Sequence, residues 1–517
     1  MENGNKLETS GNKDYFNTDH LKSGLKTRAL RGTSVAVIAQ ICVFVTQTIS
    51  ILILARLLTP RDFGLVTMVV AVSLLLQNLG CNGFIEAIIQ RKEINHNQIS
   101  TLFWINVGLG FFLMLLFLVS APLIAWFYKE PLLKPIVGAI AITIFLGGLS
   151  NQHVGLLTRK MDFIKVSVNE MVAALVSAII PILLAYYGWG YWALVSKWIL
   201  VPLMITLGAW FICSWRPSLP IRGTEVWPML RFAFNTYGSF IMSYLLRNVD
   251  KILIGWSYGS QPLGYYDRAY HLSYMLPNQL VSPITNVALS AFSRVSDDHE
   301  KFRNNYLNVL SVLAFVGMPL SAALTLISND LILLLLGPQW NESAKIFFAF
   351  GPAIGIVILY TTHGWLHLSL GTPDRWFRWG IISFLVTALS FIIGLPFGAI
   401  GVAVAYSISF YILIGPALWY AGKPIHLKLS SVLSRLWKYY IAALASGTFC
   451  WFILTVHSFT SNVFLKFNIL IRILVSVLLC LAIYLIIIIT LYRSFRPIAE
   501  FTSLLRLIID KKEPSGK

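Results

Sequence analysis

The chain has 517 residues, of which 57% are hydrophobic, 14% aromatic and only 12% charged. Soluble domains carry roughly 25% charged residues, so this composition excludes an ordinary soluble globular protein, a disordered chain and a nucleic-acid-binding domain. The net charge of +18 then becomes a question of which connections between membrane spans hold the cations.

Residues 1–32 are hydrophilic and carry Lys6, Lys13, Lys22, Lys26, Arg28 and Arg31. The first apolar run, Thr33 to Leu57, is too long for the core of a signal peptide and predicts an uncleaved first span. Runs of spanning length recur at 64–89, 102–127, 135–157, 166–187, 191–213, 229–257, 269–292, 306–328, 344–370, 379–396, 399–420, 437–455 and 468–492. Pro277 and Pro283 interrupt the eighth. The pattern predicts an all-α polytopic membrane protein of fourteen transmembrane helices. Residues 33–213 form a first six-helix lobe and 229–420 a second, related by a pseudo-two-fold; two helices follow at 437–492, then a tail at 493–517.

Counting cations supports this topology. Of the 40 Lys and Arg, 29 fall in the tails and the even-to-odd connections, and seven in the odd-to-even connections. Four remain inside spans: Lys197, Arg247, Lys251 and Arg472. The positive-inside rule places the cation-rich side in the cytoplasm, so both termini are expected there.

No connection is long enough for a soluble domain. There is no G-x-x-x-x-G-K-[ST] loop for nucleotide phosphates and no H-E-x-x-H. The five cysteines lie in or beside apolar runs, without metal-ligand spacing, and read as small apolar packing residues. What remains is a secondary transporter, with no cofactor beyond a coupling H⁺ or Na⁺, rather than an enzyme.

Parallel internal repeats are a mark of such transporters. At an offset of 200, Gly64 meets Gly264, Arg31 meets Arg231, Ser73 meets Ser273, Asn78 meets Asn278 and Glu86 meets Asn286. The offset grows to 210 further on, where Tyr187-Gly188 meets Phe397-Gly398, Ala193 meets Ala403 and His153 meets His363.

Polar residues mark the spans that would line a cavity. Gln40, Gln47 and Ser50 share one face of the first span. Asn235, Ser239, Ser243, Arg247, Asp250 and Lys251 occupy the seventh, and Asn78 and Asn278 add to the second and eighth. Such a face needs partners in hydrocarbon. Arg247, Asp250 and Lys251 stand at i, i+3 and i+4. An intramembrane cation costs at least about 2.5–3.5 kcal/mol, so a basic cavity including Lys197 suits a diphosphate. A protonatable carboxylate, Glu86 or Asp250, would couple transport to an ion gradient. Plainer readings stand beside these: Lys197 snorkels to the outer interface, Asp250 clamps Arg247 or Lys251, and Glu86 is interfacial. His153 and His363 read as interfacial hydrogen-bonders. The tryptophans, Trp189, Trp192, Trp215 and Trp340 among them, read mostly as interfacial belts.

The stretches LARLLTPRDFGLVTM (54–68), IIQRKE (88–93), NVDKILIG (248–255), PLGYYDRAYHL (262–272), ALSAFSRVSDD (288–298) and LLGPQWNESAKIF (335–347) resemble the oligosaccharide flippase family, the Wzx-type polysaccharide exporters. This family belongs to the multidrug/oligosaccharidyl-lipid/polysaccharide superfamily, and the likeness is to its colanic-acid and teichuronic-acid exporter branch. It spans about residues 27–440. The resemblance implies a bacterial inner-membrane flippase that moves undecaprenyl-diphosphate-linked oligosaccharide repeat units to the periplasmic leaflet by alternating access, for exopolysaccharide, capsule or O-antigen assembly. Its partners would be the lipid-linked oligosaccharide, membrane lipids and the polysaccharide polymerase and export machinery, the protein itself a monomer with no nucleic-acid role. Rival readings are a multidrug exporter or a lipid-linked peptidoglycan precursor flippase of the same superfamily, a membrane glycan polymerase or ligase, and a scaffold for export machinery.

Overall fold

The computed structural model describes residues 16, 25–81, 85, 88, 89, 91, 94–220, 226–456, 464, 466–495, 497–499, 501 and 502. Among them there are helices and no strand. In the membrane every backbone polar group must be satisfied within the chain, which a helix achieves by itself. Ten stretches among the described residues are long and apolar enough to cross a bilayer, and one of them, Pro373–Ile425, contains two successive helices. The chain is an all-helical multi-pass membrane protein.

It divides into two compact units, Met1–Gly264 and Tyr265–Lys517. The first contains α1 (Leu25–Leu57), α2 (Pro60–Cys81), α3 (His96–Val119), α4 (Ala121–Phe127), α5 (Leu133–Arg159), α6 (Phe163–Tyr186), α7 (Tyr191–Ile212), α8 (Trp227–Tyr258) and the first turn of α9 (Ser260–Ser293). Local chemistry sets several boundaries. α3 starts in a capping box: the Asn95 side chain accepts from the Gln98 backbone N–H at 2.8 Å, and Gln98 Oε1 accepts from that of Asn95 at 3.2 Å. The apolar run expected over 102–127 is broken at Ser120, where Pro122 starts α4. α6 packs on α1 and α7, and α5 on α2, α3 and α7. Small residues bring backbones together: a Cβ on Gly148 would meet the Asn106 carbonyl oxygen at 2.9 Å. Tyr244 on α8 donates to the Ala71 carbonyl of α2 at 2.7 Å.

The second unit continues α9 and holds α10 (His299–Leu326), α11 (Ser328–Leu335), α12 (Asn341–Phe350), α13 (Ile354–Thr361), α14 (His363–Ser369), α15 (Pro373–Gly394), α16 (Gly398–Gly422), α17 (Leu429–Trp451) and α18 (Ile469–Tyr492). The run expected over 344–370 is three short helices, interrupted by a 3₁₀ turn around Pro352 and again at Thr362. By contrast α9 runs unbroken through Pro277 and Pro283. Within a bundle, neighbouring helices and hydroxyl side chains re-satisfy the backbone groups a proline frees. α17 packs on α10 and α18. α18 is also held by Tyr484, which donates to the Phe315 carbonyl at 3.1 Å, and by an ion pair of Arg472 with Asp330 at 2.5 Å.

Three of the cysteines, Cys213, Cys450 and Cys480, are buried in apolar cores, while Cys42 is exposed. Two of the tryptophans read as belt residues are core residues instead: Trp215 and Trp340 are fully buried. Trp189 is exposed as a belt residue should be.

Candidate functional site

The polar residues of α1 are drawn into the first unit in graded fashion. Gln40 is exposed, Gln47 half-buried and Ser50 buried. Gln47 Nε2 donates to Ser177 Oγ of α6 at 3.1 Å, and Lys197 Nζ of α7 lies 3.4 Å from Ser50 Oγ. Lys197 is half-buried and is thus directed inward, to α1. The structure thus ties α1 to α6 through Gln47 and Ser177 and to α7 through Ser50 and Lys197. Links of this kind satisfy polar groups that hydrocarbon would penalise.

Asp250, on α8, is 1% exposed. One of its oxygens accepts the Lys251 backbone N–H at 2.8 Å, and Lys251 is half-buried. Arg247 and Ser243 lie on the same helix, one and two turns earlier, and are described by their backbone alone. Asn78 is half-buried and donates to the Leu74 carbonyl of its own helix at 2.7 Å. Asn278, in the second unit, is exposed on α9. Glu86 lies outside the described residues. Among the described residues no group of three or more His, Cys, Asp or Glu could hold a metal ion.

Sequence reasoning missed Ser177, a hydroxyl in the apolar second half of α6 that acquires meaning only from the helix packed against it. It also placed both histidines of the repeat at the interface, and the structure buries them. His363 Nδ1 lies 2.6 Å from the Tyr360 carbonyl oxygen. His153 is fully buried, its ring 4.5 Å from that of Trp210 and 5.1 Å from that of Trp215, and neither of its nitrogens has a hydrogen-bond partner among the described residues.

Residues 53–345 match the family described as "Polysaccharide biosynthesis protein". The chain belongs to this family, the Wzx-type polysaccharide exporters. It is 26% identical over 409 residues to the lipopolysaccharide biosynthesis protein WzxC of Escherichia coli (strain K12), covering 76% of this chain and 82% of that protein. It is equally 26% identical, over 419 residues, to the teichuronic acid biosynthesis protein TuaB of Bacillus subtilis (strain 168), covering 79% of this chain and 86% of that one. Its fold is similar to that of the lipid II flippase MurJ in an inward closed conformation, with a TM-score of 0.70 at 18% identity over 88% of this chain and 99% of the other. This Wzx-type exporter is therefore a membrane transporter.

Proposed function

We propose that the protein is a bacterial inner-membrane flippase for undecaprenyl-diphosphate-linked oligosaccharide repeat units, feeding exopolysaccharide, capsule or O-antigen assembly. The observation that carries the reading is Lys197: within a polysaccharide-exporter chain, an ammonium is turned inward from α7 onto the buried hydroxyl of Ser50. A cation turned inward in this way is placed where an anionic group of a substrate could pair with it. Arg247 and Lys251 of α8 add to it, and together they hold the diphosphate while the lipid tail stays in the bilayer. Gln40, Gln47, Ser243, Asn78 and Asn278 offer hydrogen bonds to sugars along the path. The chain crosses the membrane fourteen times with both termini in the cytoplasm, and alternating access is coupled to H⁺ or Na⁺ through Asp250 or Glu86. The protein acts as a monomer and hands its product to the polymerase.

The test is charge reversal, Arg247→Glu and Lys251→Glu, scored as surface polysaccharide at matched membrane expression. Loss of polymer with accumulation of lipid-linked repeat units in the inner leaflet is expected. Normal polymer export would remove the diphosphate clamp. Altered drug susceptibility with unchanged polysaccharide in a deletion strain would favour a multidrug exporter instead.

A further inference from the structure

Four cations, Arg375, Arg378, Lys423 and Lys428, surround two adjoining recesses in the second unit, where α15 begins and α16 ends. The recesses measure about 580 and 780 Å³ and share Trp419 and Lys423. Among the described residues none of the four forms an ion pair. Asp374, beside Arg375 in sequence, leaves them unneutralised. Two are fixed against aromatic rings instead. The Arg375 guanidinium lies 4.5 Å above the Tyr420 ring and donates to the Tyr420 carbonyl at 2.5 Å, and Lys423 Nζ lies 5.9 Å from the ring of Trp419, itself 52% exposed.

The positive-inside rule accounts for cations in this connection. It does not account for an aromatic floor beneath them, nor for what leads up to them along the two helices. On α15 the exposed apolar residues Ile382, Leu385, Leu389 and Ile392 follow at steps of three and four, and the same stripe extends back to exposed Arg378. On α16 exposed Val404, Ile408 and Ile412 continue through Pro416 and Trp419 to exposed Lys423. From Ile382 to Ile392 the rise is about 15 Å, half the roughly 30 Å hydrocarbon core. Each of the two packed helices thus presents a leaflet-deep apolar track that ends at a cation. A soluble anion would need only the cations. A phosphate carried on hydrocarbon chains fits both parts.

We propose that this is a binding site for the phosphate headgroup of a membrane lipid, its chains lying along α15 and α16 and its phosphate among Arg378, Lys423 and Lys428, with the headgroup against Trp419. The site is separate from the contacts around Lys197 and does not depend on which substrate is transported. The same chemistry belongs to a resident anionic phospholipid and to a polyprenyl diphosphate, and the measurement separates them.

The full-length protein in neutral detergent is titrated with phosphatidylglycerol, phosphatidylcholine and undecaprenyl diphosphate, reading the rise in thermal unfolding midpoint. Phosphatidylglycerol should raise it and phosphatidylcholine should not. The triple variant Arg378→Gln/Lys423→Gln/Lys428→Gln should need roughly a hundredfold more phosphatidylglycerol, at about fivefold per cation near an anionic headgroup. The charge-conserving Arg378→Lys/Lys423→Arg should behave as wild type. Phosphatidylglycerol binding at or above the affinity of undecaprenyl diphosphate assigns the site to a resident phospholipid, and tighter undecaprenyl diphosphate assigns it to a polyprenyl head. Equal response of wild type and triple variant, or of the two phospholipids, would overturn the proposal. Should the triple variant fail to fold, wild-type binding of phosphatidylglycerol that does not weaken in 0.5 M NaCl, about 4 Å of Debye screening, overturns it equally.

Discussion

Gly64 and Gly264, 200 residues apart, interlock reciprocally at the crossing of α2 and α9. A Cβ on Gly64 would stand 1.7 Å from the carbonyl oxygen of Ser260, one on Gly264 would stand 1.8 Å from that of Pro60, and the latter would also lie 3.2 Å from the Gly64 nitrogen. These neighbours are backbone, so no rotamer change can relieve them. Gly64→Ala and Gly264→Ala should each lower stability by about 2–3 kcal/mol, the upper part of the range for overpacking, visible as a fall in the detergent unfolding midpoint. Gly108→Ala and Gly380→Ala, with open space at the new Cβ, should leave it unchanged or raise it, since alanine is the better helix former.

The Arg472–Asp330 pair fixes α18 to α11, with both side chains about 15% exposed. Burial pushes the Asp330 carboxyl above the ordinary aspartate range, and Arg472 opposes that rise. A raised folded-state value means the native protein holds this proton more tightly than the unfolded chain. The contribution therefore favours the fold at low pH and is lost as pH climbs through the raised value. Arg472→Leu removes the opposition, so the carboxyl rises further. The variant should lose about 3 kcal/mol at pH 8 and much less at pH 5. Arg472→Leu/Asp330→Asn should show no such pH-dependent deficit. Unfolding midpoints at the two pH values for wild type and both variants measure it, and an equal deficit of the single variant at both pH values would refute the account.

The fold was legible in the sequence where it is set by hydrophobic run length. α1, α6, α7 and α18 end within a few residues of the apolar runs that predict them. Some backbone punctuation was legible too: Gly188 and Gly398, paired in the sequence at an offset of 210, both take positive φ, 81° and 74°, where only glycine is unstrained. Proline misled in both directions. Pro122 and Pro352 break helices at places read as continuous, whereas Pro277 and Pro283 do not break one read as interrupted. The difference is made by neighbouring helices, which local sequence does not contain. The same holds for the site. A polar stripe on α1 could be read from spacing, but whether its members meet water or a neighbour depends on Ser177 and Lys197, more than a hundred residues away.

Gln47 therefore admits a direct test of its role. Its bond to Ser177 links α1 to α6, and interhelical hydrogen bonds in membranes contribute about 0.6 kcal/mol on average. Gln47→Leu should lower the unfolding midpoint only slightly. If Gln47 also contacts sugar, polymer export should fall at least tenfold at matched expression, and Ser177→Ala, which breaks the same bond, should export normally. Equal export in the two variants would confine Gln47 to packing.

Lys197 separates charge from geometry. Lys197→Arg keeps the cation and Lys197→Met keeps most of the stem without it. Lys197→Met removes an insertion cost of about 2.5–3.5 kcal/mol but also the contact with buried Ser50, so its unfolding midpoint is read beside export. On the diphosphate reading Lys197→Met should abolish export, with Lys197→Arg retaining a measurable fraction. Full export by Lys197→Met, in a protein that is no less stable, would show that the ammonium serves neither the fold nor the substrate.

His153 poses the opposite case, a polar ring with no evident use for its polarity. It is fully buried among Phe103, Trp210 and Trp215, and its nitrogens find no partner among the described residues. Leaving a buried polar group unsatisfied costs about 1–3 kcal/mol, while an apolar group of similar shape carries no such penalty. His153→Phe should therefore raise the unfolding midpoint, with the extra ring volume taking back part of the gain. His153→Leu, smaller and equally apolar, guards against that overpacking. If the ring were a proton carrier, both variants would lose export whatever they did to stability. Raised stability with normal export would make His153 a packing residue whose polarity the fold tolerates.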